Sequence, residues 1–171
     1  MEELKIHFRW KIFIILSLFL VLPVHLESTV VVHKNLEDIT KESSLIIKGT
    51  VTDILSEWNP EHTLIFSYIT VAVNKQYKGK YYKQTVVIRQ IGGNIDRYIT
   101  EVSGAPKFTI GEEVVLFLKP GEGDFYYVNG MFQGKYKIEE GKAKHTDNKR
   151  TLPWQYFEQT IKDLVRQQQG Q

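Results

Sequence analysis

Past residue 28 the chain holds three histidines, His33, His62 and His145, and none lies in an HExxH pair or close to another. Those are the spacings that set two imidazoles on one side of a helix or turn to grip zinc. Cysteine is absent, which removes thiolate nucleophiles, disulfides and every zinc site built on sulfur. The serines Ser43, Ser44, Ser56, Ser67 and Ser103 stand outside any G-x-S-x-G context, so none is presented on the sharp strand-to-helix turn of a hydrolase. Glu112 and Glu113, like Glu139 and Glu140, are adjacent. In a strand, neighbours point to opposite faces and do not form an acid/base pair. Gly92-Gly93 and Gly121-Glu122-Gly123 lack the lysine and spacing of a phosphate loop, and Asp124 with Glu122 lacks the EF-hand spacing for calcium. These residues read as turns and solvated edges. No catalytic residue, metal ligand or cofactor is indicated.

What remains is a recognition surface. Tyr77, Lys78, Lys80, Tyr81 and Tyr82 cluster about Gly79, with Lys75 and Lys83 beside them. A basic tip carrying aromatic rings offers amphipathic contact to a sugar, a peptide or another protein. The same lysines would also shield a strand edge from pairing with other chains. Trp58, Tyr126, Tyr127 and Trp154 fall near other expected strand ends.

The elements that would position these groups begin after a leader. Lys5, Arg9 and Lys11 precede an apolar run from Ile12 to Leu22, closed by Pro23, with Ser28 as a small residue near a cleavage point. Residues 1–28 therefore read as a signal peptide. An uncleaved single-pass anchor is the alternative if the apolar stretch is extended through Leu26, although the Ile12–Leu22 run alone rises only about 16 Å as helix against a hydrocarbon core of about 30 Å. Export to a periplasmic or extracellular setting is the expectation, with membrane contact only if the leader is retained. The whole chain has 171 residues and a net charge of +2. Removal of residues 1–28 takes three basic and three acidic side chains with it and leaves that charge unchanged. Nucleic acid is not an expected partner, because a phosphate chain demands a concentrated positive field.

Residues 29–171 read as one mainly β domain with flanking helices. Val30–Val32 is a short strand candidate. Asn35 can cap a helix over residues 36–43 with Leu36 and Ile39 on its apolar side. Leu45–Leu55 reads as a bent strand with Gly49 at the bend. Thr63–Lys78 and Tyr81–Ile91 are long strands, and the short Gly79-Lys80 connection implies an antiparallel hairpin whose tip projects. Residues 92–106 read as loop plus a short strand. Val114–Leu118 is apolar at every position, so it must be covered on both faces. Phe125–Val128 and Lys135–Glu139 add strands, and Glu140–Arg150 reads as a loop or edge hairpin. A terminal amphipathic helix over 152–166, capped by Thr151, places Trp154, Phe157, Ile161, Leu164 and Val165 on one stripe. The sum is an OB-like curled antiparallel barrel, with a small β-sandwich as the alternative.

The pieces Ile91-Gly-Gly-Asn94, Gly104-Ala-Pro-Lys-Phe108, Gly111-Glu-Glu-Val-Val-Leu-Phe-Leu118 and Gly130-Met-Phe-Gln-Gly-Lys-Tyr136 resemble, in that order, an uncharacterised family of exported bacterial β-rich domains, OB-like in character. That resemblance runs from about Leu36 to Ile138, and the chain is also similar to domains found beside secreted peptidases. The resemblance implies no catalytic activity. The expected function is a non-enzymatic, exported protein- or ligand-binding module whose partner is an exported protein, a peptide or a glycan. A structural accessory of a cell-envelope or secretion assembly is the second expectation, and an enzyme whose distant residues converge is the third.

Overall fold

The computed structural model describes residues 33–145 and 151–170. The leader, the strand candidate Val30–Val32 and residues 146–150 lie outside them.

Helix α1, Leu36–Glu42, starts where expected. The Asn35 side chain accepts the Asp38 main-chain N–H at 2.7 Å, Glu37 and Asp38 occupy the positive first turn, and Lys41 the last. It ends as Ser43 bonds back to the Ile39 carbonyl through both its amide, at 3.1 Å, and its hydroxyl, at 2.6 Å.

Strand β1, Leu45–Trp58, pairs antiparallel with β2, Ile65–Lys78, along its whole length, from Ile46↔Lys78 to Trp58↔Ile65. Register shifts at Ile46/Ile47, Lys48/Gly49 and Val51/Asp53 bend the ribbon. Gly49 is required there because a Cβ would stand 2.4 Å from the Ala72 carbonyl oxygen. The first half of β1 uses its other edge to pair with β6, Glu113–Pro120. With β3, Thr85–Ile91, and β7, Tyr126–Val128, the ring closes in the order β1-β2-β3-β7-β6-β1. The result is a closed five-stranded barrel rather than a sandwich. It is antiparallel except at one seam, where β3 and β7 run parallel and meet at a single pair, Ile88↔Tyr126. Inside sit Leu45, Ile47, Val51, Ile69, Val71, Val86, Ile88, Val114, Leu116, Leu118 and Val128.

Beyond the ring the sheet continues from β6 through β8, Lys135–Glu139, β9, Lys142–His145, and β10, Thr151–Pro153. Helix α2, Trp154–Gln169, covers this extension and buries Phe157, Ile161 and Val165. They join Ile39, Ile46, Val115, Phe117, Tyr136 and Ala143 in a second core. Strand β6 explains its own composition: Val114, Leu116 and Leu118 face the barrel interior, while Val115 and Phe117 face the helices.

The structure corrects the entry to α2. Thr151 does not cap it; Thr151 pairs with Lys144 in β10, and Pro153 takes the cap position without a side-chain bond. Strand pairing holds residues 151–153 extended, and the Trp154 amide finds the Gly141 carbonyl at 2.8 Å. At its other end α2 runs past residue 166 because Gln168 is held by Lys78, Nζ to Oε1 at 2.8 Å.

The seat of α2 on the barrel carries a half-buried polar cluster. Glu158 accepts from Lys75 at 2.7 Å and from the Tyr77 hydroxyl at 2.9 Å, with Lys162 at 3.3 Å. Lys75 above all, aided by Tyr77 and Lys162 against the opposing effect of burial, draws the Glu158 carboxyl down from 4.5 to about 2. A carboxylate depressed in the folded state stabilises it fully above the unfolded value and loses that contribution as pH falls toward 2. Glu158→Gln is therefore expected to cost about 1–2 kcal/mol at neutral pH, discounted because Lys75 is half exposed. It should also flatten the loss of stability between pH 4.5 and about 2. Urea unfolding midpoints across that range measure both effects.

Candidate functional site

The surface expected around Gly79 is divided by the fold. Strand β2 overshoots β3: its last residues pair with the start of β1, whereas β3 begins only at Thr85. The connection is the six-residue stretch 79–84 rather than a two-residue turn. Tyr77 lies under α2, and burial first and Glu158 second hold its hydroxyl pKa far above the ordinary value. Lys78 donates to the Thr40 carbonyl at 2.7 Å and the Lys41 carbonyl at 2.9 Å at the end of α1, besides its bond to Gln168 of α2. Burial lowers the pKa of its ammonium group. The Tyr81 hydroxyl donates to the Thr85 carbonyl at 2.6 Å, and its ring packs edge-on to Tyr126 at 5.8 Å and against the barrel core. Lys80 is exposed, and Tyr82 is 89% exposed. Lys83 pairs with Asp124 at 2.8 Å. Of the five residues, Tyr77, Lys78 and Tyr81 anchor the fold, and Lys80 and Tyr82 face solvent.

A second aromatic surface lies on the outer face of β1, β2 and β3. Pairing sets Leu55, Tyr68 and Arg89 in one row and Glu57, Phe66 and Ile91 in the next. The loop before β7 adds Phe125, whose ring is 5.2 Å from Tyr68, and β7 adds Tyr127. Leu55, Ile91 and Tyr127 are each about half exposed, at 51%, 43% and 45%. A hollow of about 290 Å³ opens at the seam, between Phe66, Arg89, Ile91, Glu122, Phe125 and Tyr127.

Arg89 dominates this hollow. Its guanidinium lies over the Phe66 ring, 4.1 Å from the centroid, a cation–π contact that holds the fork in place. Nη1 reaches Glu122 Oε2 at 3.3 Å, while Nε is buried and meets no acceptor. The Arg89 side chain is 30% exposed and that of Glu122 92%. Phe66, Arg89 and Phe125 come from three separated segments, so no local pattern in the sequence brings them together. The available signal was Ile65-Phe-Ser-Tyr-Ile69, a strand whose outward positions are aromatic where a solvated face would be polar.

At the mouth of the barrel a larger cleft, about 890 Å³, lies beneath the hairpin of β4, Gly93–Ile95, and β5, Tyr98–Thr100, and the loop 101–108. Ser56 and Ser67 touch at 3.3 Å, and the Ser67 hydroxyl donates to the Gly92 carbonyl at 2.6 Å. Gln90 donates through Nε2 to the Pro106 carbonyl at 3.2 Å, and its Oε1 is buried without a donor. The loop is tied down by Lys135, which bonds to the Lys107 carbonyl and to Glu112 at 2.6 Å. Cleft and hollow share Gln90 and Ile91.

The histidines do not gather. His62 stacks near Trp58, His145 is buried among Phe132, Tyr136 and the Gln133 carbonyl, and His33 is exposed. Glu112, just before β6, turns to Lys135 and Glu113 to Lys48, so the two carboxylates do not meet. Among the described residues no group of three His, Asp or Glu side chains is placed to hold a metal ion. No protein-family model matches the chain, and no curated protein matches it.

Proposed function

We propose that the protein is an exported, non-enzymatic binding module, and that its binding surface is the outer face of β1–β2–β3 together with β7. The observation that carries this reading is the exposed aromatic and aliphatic face centred on Arg89, a cation held over the Phe66 ring. Aromatic rings and arginine are the side chains that most often dominate binding energy. Leu55, Ile91 and Tyr127 are exposed beside the half-buried Phe66, Tyr68 and Phe125, and an apolar surface left open in this way marks an interaction site. The outer face of strands 2 and 3 is also where OB-type barrels take their ligands, a fold-level analogy that supports the place and not the ligand. Asp53 and Glu57 on or beside the face oppose a phosphate chain, which places a negative charge on every unit. A protein, peptide or glycan suits it, and the chemistry proposed needs no cofactor. The leader-like residues 1–28 support an exported setting.

Tyr68→Ala combined with Tyr127→Ala is expected to weaken capture of the partner from native exported material at least tenfold, with an unchanged thermal midpoint. Tyr82→Ala, at the exposed turn, serves as the comparison and should leave capture intact. Retention of the partner by the face variant, or its loss with Tyr82→Ala alone, would overturn the assignment.

A further inference from the structure

The seam between β3 and β7 narrows the ligand, given the binding face just proposed. We infer that the hollow takes a carboxylate carried on an extended polypeptide, with the Arg89 guanidinium as its receptor and Glu122 as an internal stand-in.

Three observations converge. First, Arg89 is held as a preformed fork: it lies over the Phe66 ring, 4.1 Å from the centroid, and its one ion-pair partner among the described residues is a carboxylate 92% exposed, reached at the long distance of 3.3 Å. A guanidinium in a partly dehydrated aromatic hollow gains most from a carboxylate that binds it bidentately. Glu122 engages one nitrogen from the Gly121-Glu-Gly123 loop, which can swing aside at little cost because Glu122 itself is barely buried. Second, the edge of β3 is only partly covered. Gly92 donates to Ile65, so the alternation of an antiparallel ladder turns the main-chain groups of Arg89 and Ile91 away from β2 and toward the seam, where the Ile88↔Tyr126 bridge engages the Arg89 N–H and the Arg89 carbonyl and Ile91 lie beyond it. Strand β7 meets β3 only at Ile88↔Tyr126, and beyond that pair the two diverge around the hollow. An extended peptide can continue the ladder along β3, as in strand addition. Third, the apolar walls Ile91, Phe125 and Tyr127 flank the arginine, so alternate side chains of such a strand meet apolar surface on either side of the carboxylate. A glycan would use the rings but leave the strand edge unanswered.

The probe is a blocked peptide of alternating valine and glutamate, five residues long, titrated into the full chain while the Arg89 Nε–Hε resonance is followed by NMR. Its glutamine counterpart and a galacturonate trisaccharide are the other arms. The acidic peptide is expected to shift the Arg89 resonance and to bind at least tenfold tighter than the glutamine peptide. Arg89→Lys, which keeps the charge but not the fork, should abolish that preference. Glu122→Gln should tighten the acidic peptide about two- to five-fold, a gain that a merely structural Glu122 would not give. Equal binding of the acidic and glutamine peptides would overturn the carboxylate assignment while leaving the binding face intact. Binding of the trisaccharide in preference to the peptide would overturn the polypeptide assignment. If no probe binds although Tyr68→Ala with Tyr127→Ala still releases the natural partner, the inference about the carboxylate fails and the binding face stands.

Discussion

Lys135→Met is expected to lower the free energy of unfolding by about 3–5 kcal/mol. The Lys135 and Glu112 side chains are 5% and 6% exposed and 2.6 Å apart, and Glu112 also accepts the Thr109 amide at 2.9 Å. Removing the ammonium group leaves a buried carboxylate without its counter-charge, which is far costlier than losing an exposed pair. Burial holds the Lys135 pKa below the ordinary lysine value even against the favourable pull of Glu112, so dehydration is the larger influence on this lysine. The double variant Lys135→Met with Glu112→Gln should recover much of the loss, since the stranded charge is then gone. Urea unfolding of wild type, both single variants and the double variant gives the coupling. A near-neutral Lys135→Met would mean that the pair does not anchor the loop over the barrel mouth.

Phe117→Ala is the second large effect, about 3–5 kcal/mol. The ring is fully buried, packs edge-on to Tyr136 at 6.0 Å and lies in the core beneath α2. The cavity it leaves is walled by the sheet on one side and by two helices on the other, so the surroundings collapse only in part. Because β6 also lines the barrel, near-ultraviolet and far-ultraviolet circular dichroism should still report one shared transition at a lower denaturant midpoint. Separate transitions would show that the helical layer and the barrel unfold independently. Tyr127→Ala on the exposed face should shift the midpoint little, which separates residues that hold the fold from those that meet a ligand.

The residues differ in how far they could be read in advance, and the reason is physical. Asn35, with its acidic first turn, caps a helix by contacts within four residues, and that helix was legible. Val114–Leu118 was legible as doubly covered, because an unbroken apolar strand admits no solvent face. The stripe of Phe157, Ile161 and Val165 likewise declares the packed side of α2. What was not legible depends on pairing between distant segments. Nothing near Lys78 reveals that β2 continues past β3 to pair with β1 and α1, so an apparent projecting tip becomes part of the framework. The start of α2 was misplaced for the same reason: Thr151 has the chemistry of a cap, but its alternative partner, Lys144, is supplied by a strand pairing that local propensity does not register. The Arg89 hollow is the clearest case. Its parts come from β2, β3 and the loop before β7, and only ring closure brings them together.

That closure has an order in time. As the chain is made, β1, β2 and β3 can pair from neighbouring sequence, but β1 must wait for β6 before its second edge is covered. During that interval the nascent sheet is an open ribbon, with Leu45 to Gly49 unpaired along one edge. The segment that finally seals it, Val114–Leu118, is itself the most apolar stretch of the domain. Vectorial emergence therefore presents the two stickiest edges one after the other, and a chain delayed between them is most exposed to pairing with another copy of itself.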